Sequence, residues 1–341
     1  MKNRENEVIM EILILREEDI LEAVDIKDII EADKEALKNY SNGGSDIPLR
    51  TVIDVDKKSS STAIFMPGYI KDRNALGMKI IDIYPENIDK GLVSAPSTMI
   101  LIDKENGFVK AILDGTILTR LRTGAVSGAA TEVLANEDAK TFLLIGTGGQ
   151  ASTQLEAVLA VRDIEKAYVC DVNYERAEKF AEEMNGRLKK YETEIIPIAN
   201  SDEVIGEVDI ITTVTTAKKP VFDGNKVKKG IHVNSVGSYT PDMQETPPEL
   251  LVRADKIFTD TNEGVIEEAG DVIIPISQGK ISKEKVEHEL GNLLLGKEMG
   301  RESKEEITWF KTVGFAGLDL VAGEKIYELA KEKGIGTKIE M

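Results

Sequence analysis

A short apolar run, Phe142-Leu143-Leu144-Ile145, leads straight into Gly146-Thr147-Gly148-Gly149-Gln150-Ala151 and then into a helical pattern. Few architectures accept that order. Glycine at 146 permits a tight turn, glycine at 148 lets the backbone approach a phosphate, and alanine at 151 lets the helix sit close to the strand. The helix start then offers N–H groups and the positive end of its dipole to an anion. Alone, G-x-G-x-x-A is a weak signal, because glycine turns are common. A second strand strengthens it by ending on Asp171, where a carboxylate meets the ribose hydroxyls of a dinucleotide. The residues 146–151 and Asp171 together predict a Rossmann site. An acid at 171 favours NAD(H) over NADP(H), whose 2′-phosphate it would repel, although Arg176 lies within reach of such a phosphate. The bland alternative is an ordinary αβ turn with a capping aspartate.

Around this motif the pattern alternates: strand Thr141–Ile145, helix Gln150–Arg162, strand Ala167–Asp171, helix Glu175–Asn185 and strand Glu194–Ala199. Further strands are expected at Val208–Thr213, Gly230–Ser235 and Lys256–Thr259. Such alternation implies a parallel sheet covered on both faces. A helix rich in Gly and Ala, Leu118–Ala135, precedes it and is suited to close packing. The first 122 residues differ, with short apolar runs at Val8–Leu15, Ser61–Met66, Ala75–Tyr84, Thr98–Asp103 and Phe108–Leu113, and a helix over Glu22–Tyr40. Asn106-Gly107 between the last two runs is a hairpin signal. The tail, Phe315–Lys333, has helical spacing and is expected to return to the first domain. The predicted fold class is therefore α/β: a Rossmann dinucleotide-binding domain over residues 123–316, plus a smaller discontinuous α+β domain over 1–122 and 317–341.

Charge narrows the partners. Of 341 residues, 61 are acidic and 43 basic, a formal charge of −18 that disfavours nucleic acid and anionic membranes. A small anionic substrate would need a local basic pocket. Cys170, the single cysteine, cannot form an intrachain disulfide, which suits a reducing cytosol. Met1–Glu7 lacks an apolar signal region, and no apolar run has the length of a membrane span, so a cytoplasmic location is expected. No metal site is expected: the two histidines, His232 and His288, are far apart, and read as a buried strand residue and a surface helix residue.

Three basic residues stand out in the first part of the chain. Arg50 opens an apolar strand, Lys79 lies inside Met78-Lys79-Ile80-Ile81, and Arg122 lies on the small-residue helix. Singly, each reads as a surface or ion-paired residue. A buried lysine needs an anionic partner, however, and a substrate carboxylate is one candidate.

Taken in order, these stretches resemble the ornithine cyclodeaminase/mu-crystallin family over nearly the whole chain. The resemblance rests on Pro48-x-Arg50, Gly77-Met-Lys79 with Tyr84-Pro85-Glu86-Asn87, Leu121-Arg122-Thr123-Gly124-Ala125 and the glycine loop. Asn234-Ser-Val-Gly237, Pro241-Asp-Met-Gln-Glu245 and Val313-Gly-Phe-Ala-Gly-Leu-Asp319 complete it. It implies a small amino or imino acid substrate, a smaller domain that binds substrate and pairs its sheet with a second subunit, and hence a homodimer. It also implies that Arg50, Lys79 and Arg122 hold the substrate carboxylate, and that Asn234, Ser235, Val236, Gly237, Val313 and Gly314 line the nicotinamide. Cyclodeaminases of the family carry an aspartate two residues past the glycine of Val-Gly; here that position is Tyr239, a poor base at neutral pH. Asp242, three residues on, is a possible substitute. The favoured expectation is reduction of a cyclic α-imino acid, with Δ1-pyrroline-2-carboxylate going to L-proline as the leading case. Lys79 and Tyr239 are the candidate catalytic residues, Lys79 for proton control at the imine. The alternatives are an ornithine cyclodeaminase, an alanine dehydrogenase-like oxidoreductase, and a cofactor-bound module that mainly binds a ligand.

Overall fold

The computed structural model describes residues 10–48 and 50–340. In chain order the strands are β1 Glu11–Leu15, β2 Ser45–Asp46, β3 Thr51–Asp56, β4 Ser61–Ile70, β5 Ala75–Ile83, β6 Ser97–Ile102, β7 Val109–Asp114, β8 Thr141–Ile145, β9 Lys166–Cys170, β10 Glu194–Ile198, β11 Ile210–Thr213, β12 His232–Ser235, β13 Lys256–Thr259, β14 Thr308–Lys311 and β15 Thr337–Glu340. The helices are α1 Glu17–Ala23, α2 Ile26–Ser41, α3 Gly115–Leu134, α4 Ala151–Val161, α5 Tyr174–Arg187, α6 Pro248–Arg253, α7 Asn262–Glu268, α8 Gly270–Ser277, α9 Leu290–Leu294 and α10 Ala316–Lys333. Two compact units result. One comprises Met1–Ala32, Gly43–Thr119 and Ala316–Met341; the other comprises Asp33–Asn42 and Arg120–Phe315.

The first unit is an eight-stranded sheet in the order β15-β1-β7-β6-β5-β4-β2, with β3 also paired to β4. Every pairing is antiparallel except β1 with β7. Asn106-Gly107 does turn β6 into β7: Gly107 takes φ +78°, and the Asn106 side chain accepts the Phe108 N–H. One row across the sheet, Met66 opposite Lys79, Lys79 opposite Met99 and Met99 opposite Leu113, lies on a single buried face. Apolar residues of α10, among them Leu318, Ala322 and Ile326, are also buried, and α10 packs on β4, β5 and β6. The run after Arg50 does form a strand, but β3 is exposed throughout, with Val52, Ile53 and Val55 about half exposed.

The second unit is a seven-stranded sheet, order β10-β9-β8-β11-β12-β14-β13, parallel at every pairing. Successive residues of β8 supply opposite cores. Phe142 and Leu144 join Val158, Val169 and Ala177, while Leu143 and Ile145 join Ile211, Val233 and Trp309. That explains why the strand reads as a continuous apolar run without alternation. The small-residue helix packs as closely as its composition suggested: a Cβ on Gly124 of α3 would lie 2.4 Å from the Thr153 carbonyl of α4.

Several expectations need revision. The single helix expected over Glu22–Tyr40 is two, because Asp25 breaks it: its carboxylate accepts the N–H groups of Lys27 and Asp28 and caps α2. His232 is a buried strand histidine as expected, but His288 lies in the irregular segment before α9 and bonds Glu298 at 2.8 Å. Val8 and Ile9 of the first expected strand lie outside the described residues. Strand β14 was not anticipated. It is wholly buried between β12 and β13, yet Thr308 and Lys311 interrupt its apolar pattern.

The α3–α4 contact sets a contest between propensity and packing. Gly124→Ala gains about 1 kcal/mol of helix propensity, but overpacking against the Thr153 carbonyl typically costs about 1–3 kcal/mol. Urea unfolding is expected to show net destabilisation, and a more stable variant would contradict the contact.

Candidate active site

All strands of the parallel sheet end on one edge. In open α/β sheets ligands sit beyond that edge, where the strand order reverses. Here the reversal lies between β8 and β11. Gly146 follows β8 with φ +103°, and a Cβ there would come within 2.7 Å of the Val214 carbonyl beyond β11. The next two glycines differ: a Cβ on Gly148 or Gly149 meets nothing within 4 Å. The loop is therefore packed on its inner side and open above 148–149, a cradle into which a pyrophosphate fits.

Asp171 follows β9. Its Oδ2 accepts the Thr147 backbone N–H at 2.9 Å and the Thr147 hydroxyl at 2.8 Å, and its Oδ1 accepts the Asn173 N–H at 3.0 Å. Burial works against the charge, but these bonds and the Arg176 guanidinium, 4.0 Å away, outweigh it and hold the carboxyl below its ordinary range. A charged acceptor thus stands beside the glycine loop. Gln150 precedes α4 and Ala151 opens it, fully buried, as close helix packing requires.

Two buried carboxylates fix the neighbouring turns. Beyond β12, Glu245 Oε2 accepts the N–H groups of Gly237 at 2.6 Å and Ser238 at 3.1 Å, while Oε1 accepts that of Thr215 at 2.5 Å. Gly237 has no alternative residue, since a Cβ would lie 2.0 Å from the Thr215 carbonyl. Beyond β14, Asp260 Oδ2 accepts the Thr312 hydroxyl at 2.6 Å and the N–H groups of Val313 at 3.0 Å and Gly314 at 2.7 Å. Burial pushes the Asp260 carboxyl up; these three donors, with the Thr261 N–H that Oδ1 accepts at 2.7 Å, oppose that push. Gly314 takes φ +76°, and a Cβ on it would lie 2.4 Å from Arg122 Nη1, so the Arg122 guanidinium lies directly over this turn. Arg122 is itself buried.

Asn234 and Ser235 are fully enclosed. The Asn234 side chain bonds His232, Thr131 and Thr212, and the Ser235 hydroxyl bonds Thr246 and Trp309. Their polar groups serve the interior, and the chain past them, Val236–Gly237, forms the turn. Burial pushes the His232 imidazole down to about 3, helped by the Arg301 charge, so it is neutral at physiological pH. Tyr239, next along, is about half exposed. Asp242 is fully exposed, and bonds from Lys218 and from the Thr240 hydroxyl push it down to about 2. A carboxylate so held is a poor proton acceptor at neutral pH. Among the described residues no three His, Cys, Asp or Glu side chains group to hold a metal.

In the first unit, Lys79 is buried, and its ammonium bonds Asp319 of α10 at 2.7 Å. The anionic partner that a buried lysine demands is thus supplied by the chain itself. Arg50 lies just before β3, whose first residue, Thr51, pairs with Phe65 of β4; the next residue of β4, Met66, pairs with Lys79.

Sequence reasoning quoted Glu245 and Asp319 but assigned them no role, and passed over Asp260, Asp271 and Lys311. The available signal was charge inside apolar stretches, as in Trp309-Phe310-Lys311, where burial demands a partner.

The ornithine cyclodeaminase/mu-crystallin family model matches residues 10–334. The chain belongs to that family. It is 39% identical over 317 residues to a Δ1-pyrroline-2-carboxylate reductase of Bacillus cereus, covering 93% of this chain and 96% of that one. Among solved structures, the Δ1-pyrroline-2-carboxylate reductase of Thermococcus litoralis, in complex with NADH and L-proline, is 41% identical. It superposes with a TM-score of 0.90, covering 96% of this chain and 100% of that one. An archaeal alanine dehydrogenase dimer with bound NAD is 33% identical with a TM-score of 0.87, covering 97% and 99%. The expected fold class and family are both borne out, and the chain binds a nicotinamide dinucleotide.

Breaking the Lys79–Asp319 pair tests how much the first unit depends on it. Asp319→Ala leaves a buried ammonium without its carboxylate and is expected to cost about 3–5 kcal/mol. The double variant Lys79→Met/Asp319→Leu is expected to recover most of that loss in urea melts. Equal losses in the two variants would show that packing, not charge, dominates there.

Proposed function

We propose that the chain reduces Δ1-pyrroline-2-carboxylate to L-proline with a nicotinamide dinucleotide. The observation that carries this reading is the pairing of an open glycine cradle with the 39–41% identity, over nearly the full length, to reductases of this imino acid. Asp171 held ionised supports NADH over NADPH, because it repels a 2′-phosphate. The glycine loop 146–151 would hold the pyrophosphate, and the turns Val236–Gly237 and Val313–Gly314 would flank the nicotinamide. Bound there, the nicotinamide supplies a hydride to the imine carbon.

The remaining work falls to side chains. Arg50, Lys79 and Arg122 bind the substrate carboxylate, and fixing the planar C=N in this way can remove several kcal/mol of the barrier. As the C–H bond forms, the C=N electron pair moves to nitrogen, which takes a proton. Lys79 would govern that proton, and its bond to Asp319 would orient the ammonium. Tyr239 lines the substrate pocket and offers a hydroxyl donor. In this reading the second unit binds the cofactor. A homodimer forms through the first unit's sheet, as the half-exposed Val52, Ile53 and Val55 on edge strand β3 suggest. A cytoplasmic location agrees with the lone buried cysteine.

The cyclodeaminase alternative requires a base at position 239 or 242. Tyrosine occupies the first, and the Asp242 carboxylate is tied to Lys218. The purified chain is expected to oxidise NADH on adding Δ1-pyrroline-2-carboxylate, and to release no ammonia from L-ornithine with NAD⁺. Ammonia and proline from ornithine without net NADH change would overturn the reductase reading. Arg122→Ala is expected to lower kcat/KM for the imine by about 100-fold or more, the loss of charge-assisted bonds to a carboxylate. Asp171→Ser is expected to raise NADPH use relative to NADH.

A further inference from the structure

Beyond β11, β12 and β14, one chain of buried charges ties three strand ends together. Lys311, the last residue of β14, is fully buried, with its ammonium 3.3 Å from Asp271 Oδ2 on α8. The other Asp271 oxygen accepts the backbone N–H groups of Glu245 at 2.7 Å and Thr246 at 2.8 Å. Glu245, also fully buried, then reaches across to the N–H groups of Thr215, Gly237 and Ser238. Every oxygen of its carboxylate points at a backbone donor. Nothing in the core requires a carboxylate at this place, and burying one is expensive. Its contacts are all with the turns leaving β11 and β12.

We propose that Glu245 is the positioning residue of the cofactor site, its carboxylate holding the Val236–Ser238 turn in the shape that accepts the nicotinamide end of the dinucleotide. The inference rests on the placement of the nicotinamide at that turn. It does not depend on which imine is reduced. Glu245 acts through backbone N–H groups and touches no reacting atom.

The geometry has a pH signature. A charged carboxylate accepts all three N–H bonds, whereas a proton on either oxygen competes with the donors already aimed at it. Burial pushes the Glu245 carboxyl up to about 7, and the Asp271 charge adds to this, while Lys311 and the Thr215 N–H pull it down. The charged groups facing it are Asp271 from α8 and Lys311 from β14. The carboxyl therefore changes charge near neutrality. Above that point the turn is held, and below it the hold weakens. NADH affinity should accordingly fall as the pH drops through about 7.

The first test is NADH binding to the wild-type chain, followed by nucleotide fluorescence between pH 5.5 and 8.5. An inflection near pH 7, with tighter binding on the alkaline side, is expected; a flat profile over that range would overturn the proposal. Glu245→Gln then assigns the inflection. It is expected to weaken NADH binding at pH 8 by about tenfold or more, as for a lost bond to a charged acceptor, and to flatten the profile. KM for the imine should change far less than that for NADH. A folded Glu245→Gln chain with wild-type NADH affinity and an unchanged profile would show that the residue is merely structural. Where Glu245→Gln fails to fold, Asp271→Asn removes the neighbouring negative charge while keeping the shape, and should move the inflection to lower pH; an unmoved inflection would overturn the assignment. Because the readout is nucleotide binding, a chain that binds NADH with this profile but reduces no pyrroline carboxylate would refute the substrate reading and leave Glu245 in place.

Discussion

A parallel sheet has to deliver every strand end to the same edge, and the backbone leaving that edge is hard to satisfy. The strands stop pairing there, yet the turns must stay in place to receive a ligand. In this chain the difficulty is met by carboxylates that are wholly or partly buried. Asp171 holds the turn after β8, Glu245 the turns after β11 and β12, and Asp260 the turn after β14. Each exchanges a desolvated charge for several N–H bonds, which are stronger than their neutral counterparts. The glycines follow from the same constraint: Gly146 and Gly237 are pressed against other backbone, while Gly148 and Gly149 leave open space. The site is thus rigid beneath and vacant above, the preorganisation that hydride transfer between two bound partners needs.

The first unit meets a related problem with opposite signs. On the proposed reading, a chain with a formal charge of −18 has to attract a carboxylate. Lys79 is sunk into an apolar row, with Met66 and Met99 beside it, and is balanced by Asp319. The pairing fixes the direction of the ammonium through its bond to Asp319. Burial in such a setting also removes competing water, so any further bond to an anion is made at low dielectric.

Much of the second unit could be read directly. The β8–loop–α4–β9 segment combines a two-sided apolar strand, turn glycines and a largely buried helix within about thirty residues, and local rules suffice for it. The Asn106-Gly107 hairpin was legible for the same reason. What escaped was settled by distant partners. Strand β14 carries Thr308 because its hydroxyl bonds His232 and Leu134, and Lys311 because the Asp271 carboxylate lies 3.3 Å from its ammonium; no window of sequence contains those partners. Lys79 called for an anion, but a substrate carboxylate and Asp319, 240 positions away, fit equally until the fold joined them. The helix break at Asp25 was visible in principle, since an aspartate three residues before another is a capping pattern, but the apolar spacing on either side masked it.

The central claim is that hydride reaches the α-carbon of a cyclic imino acid held by its carboxylate. Following the reaction with NADH deuterated at both C4 positions, and locating the label by NMR in the proline formed, tests it most directly. The account predicts one deuterium per molecule, at Cα of L-proline, with one dinucleotide oxidised for each proline. Proline free of deuterium, or product formed without oxidation of the dinucleotide, would contradict it.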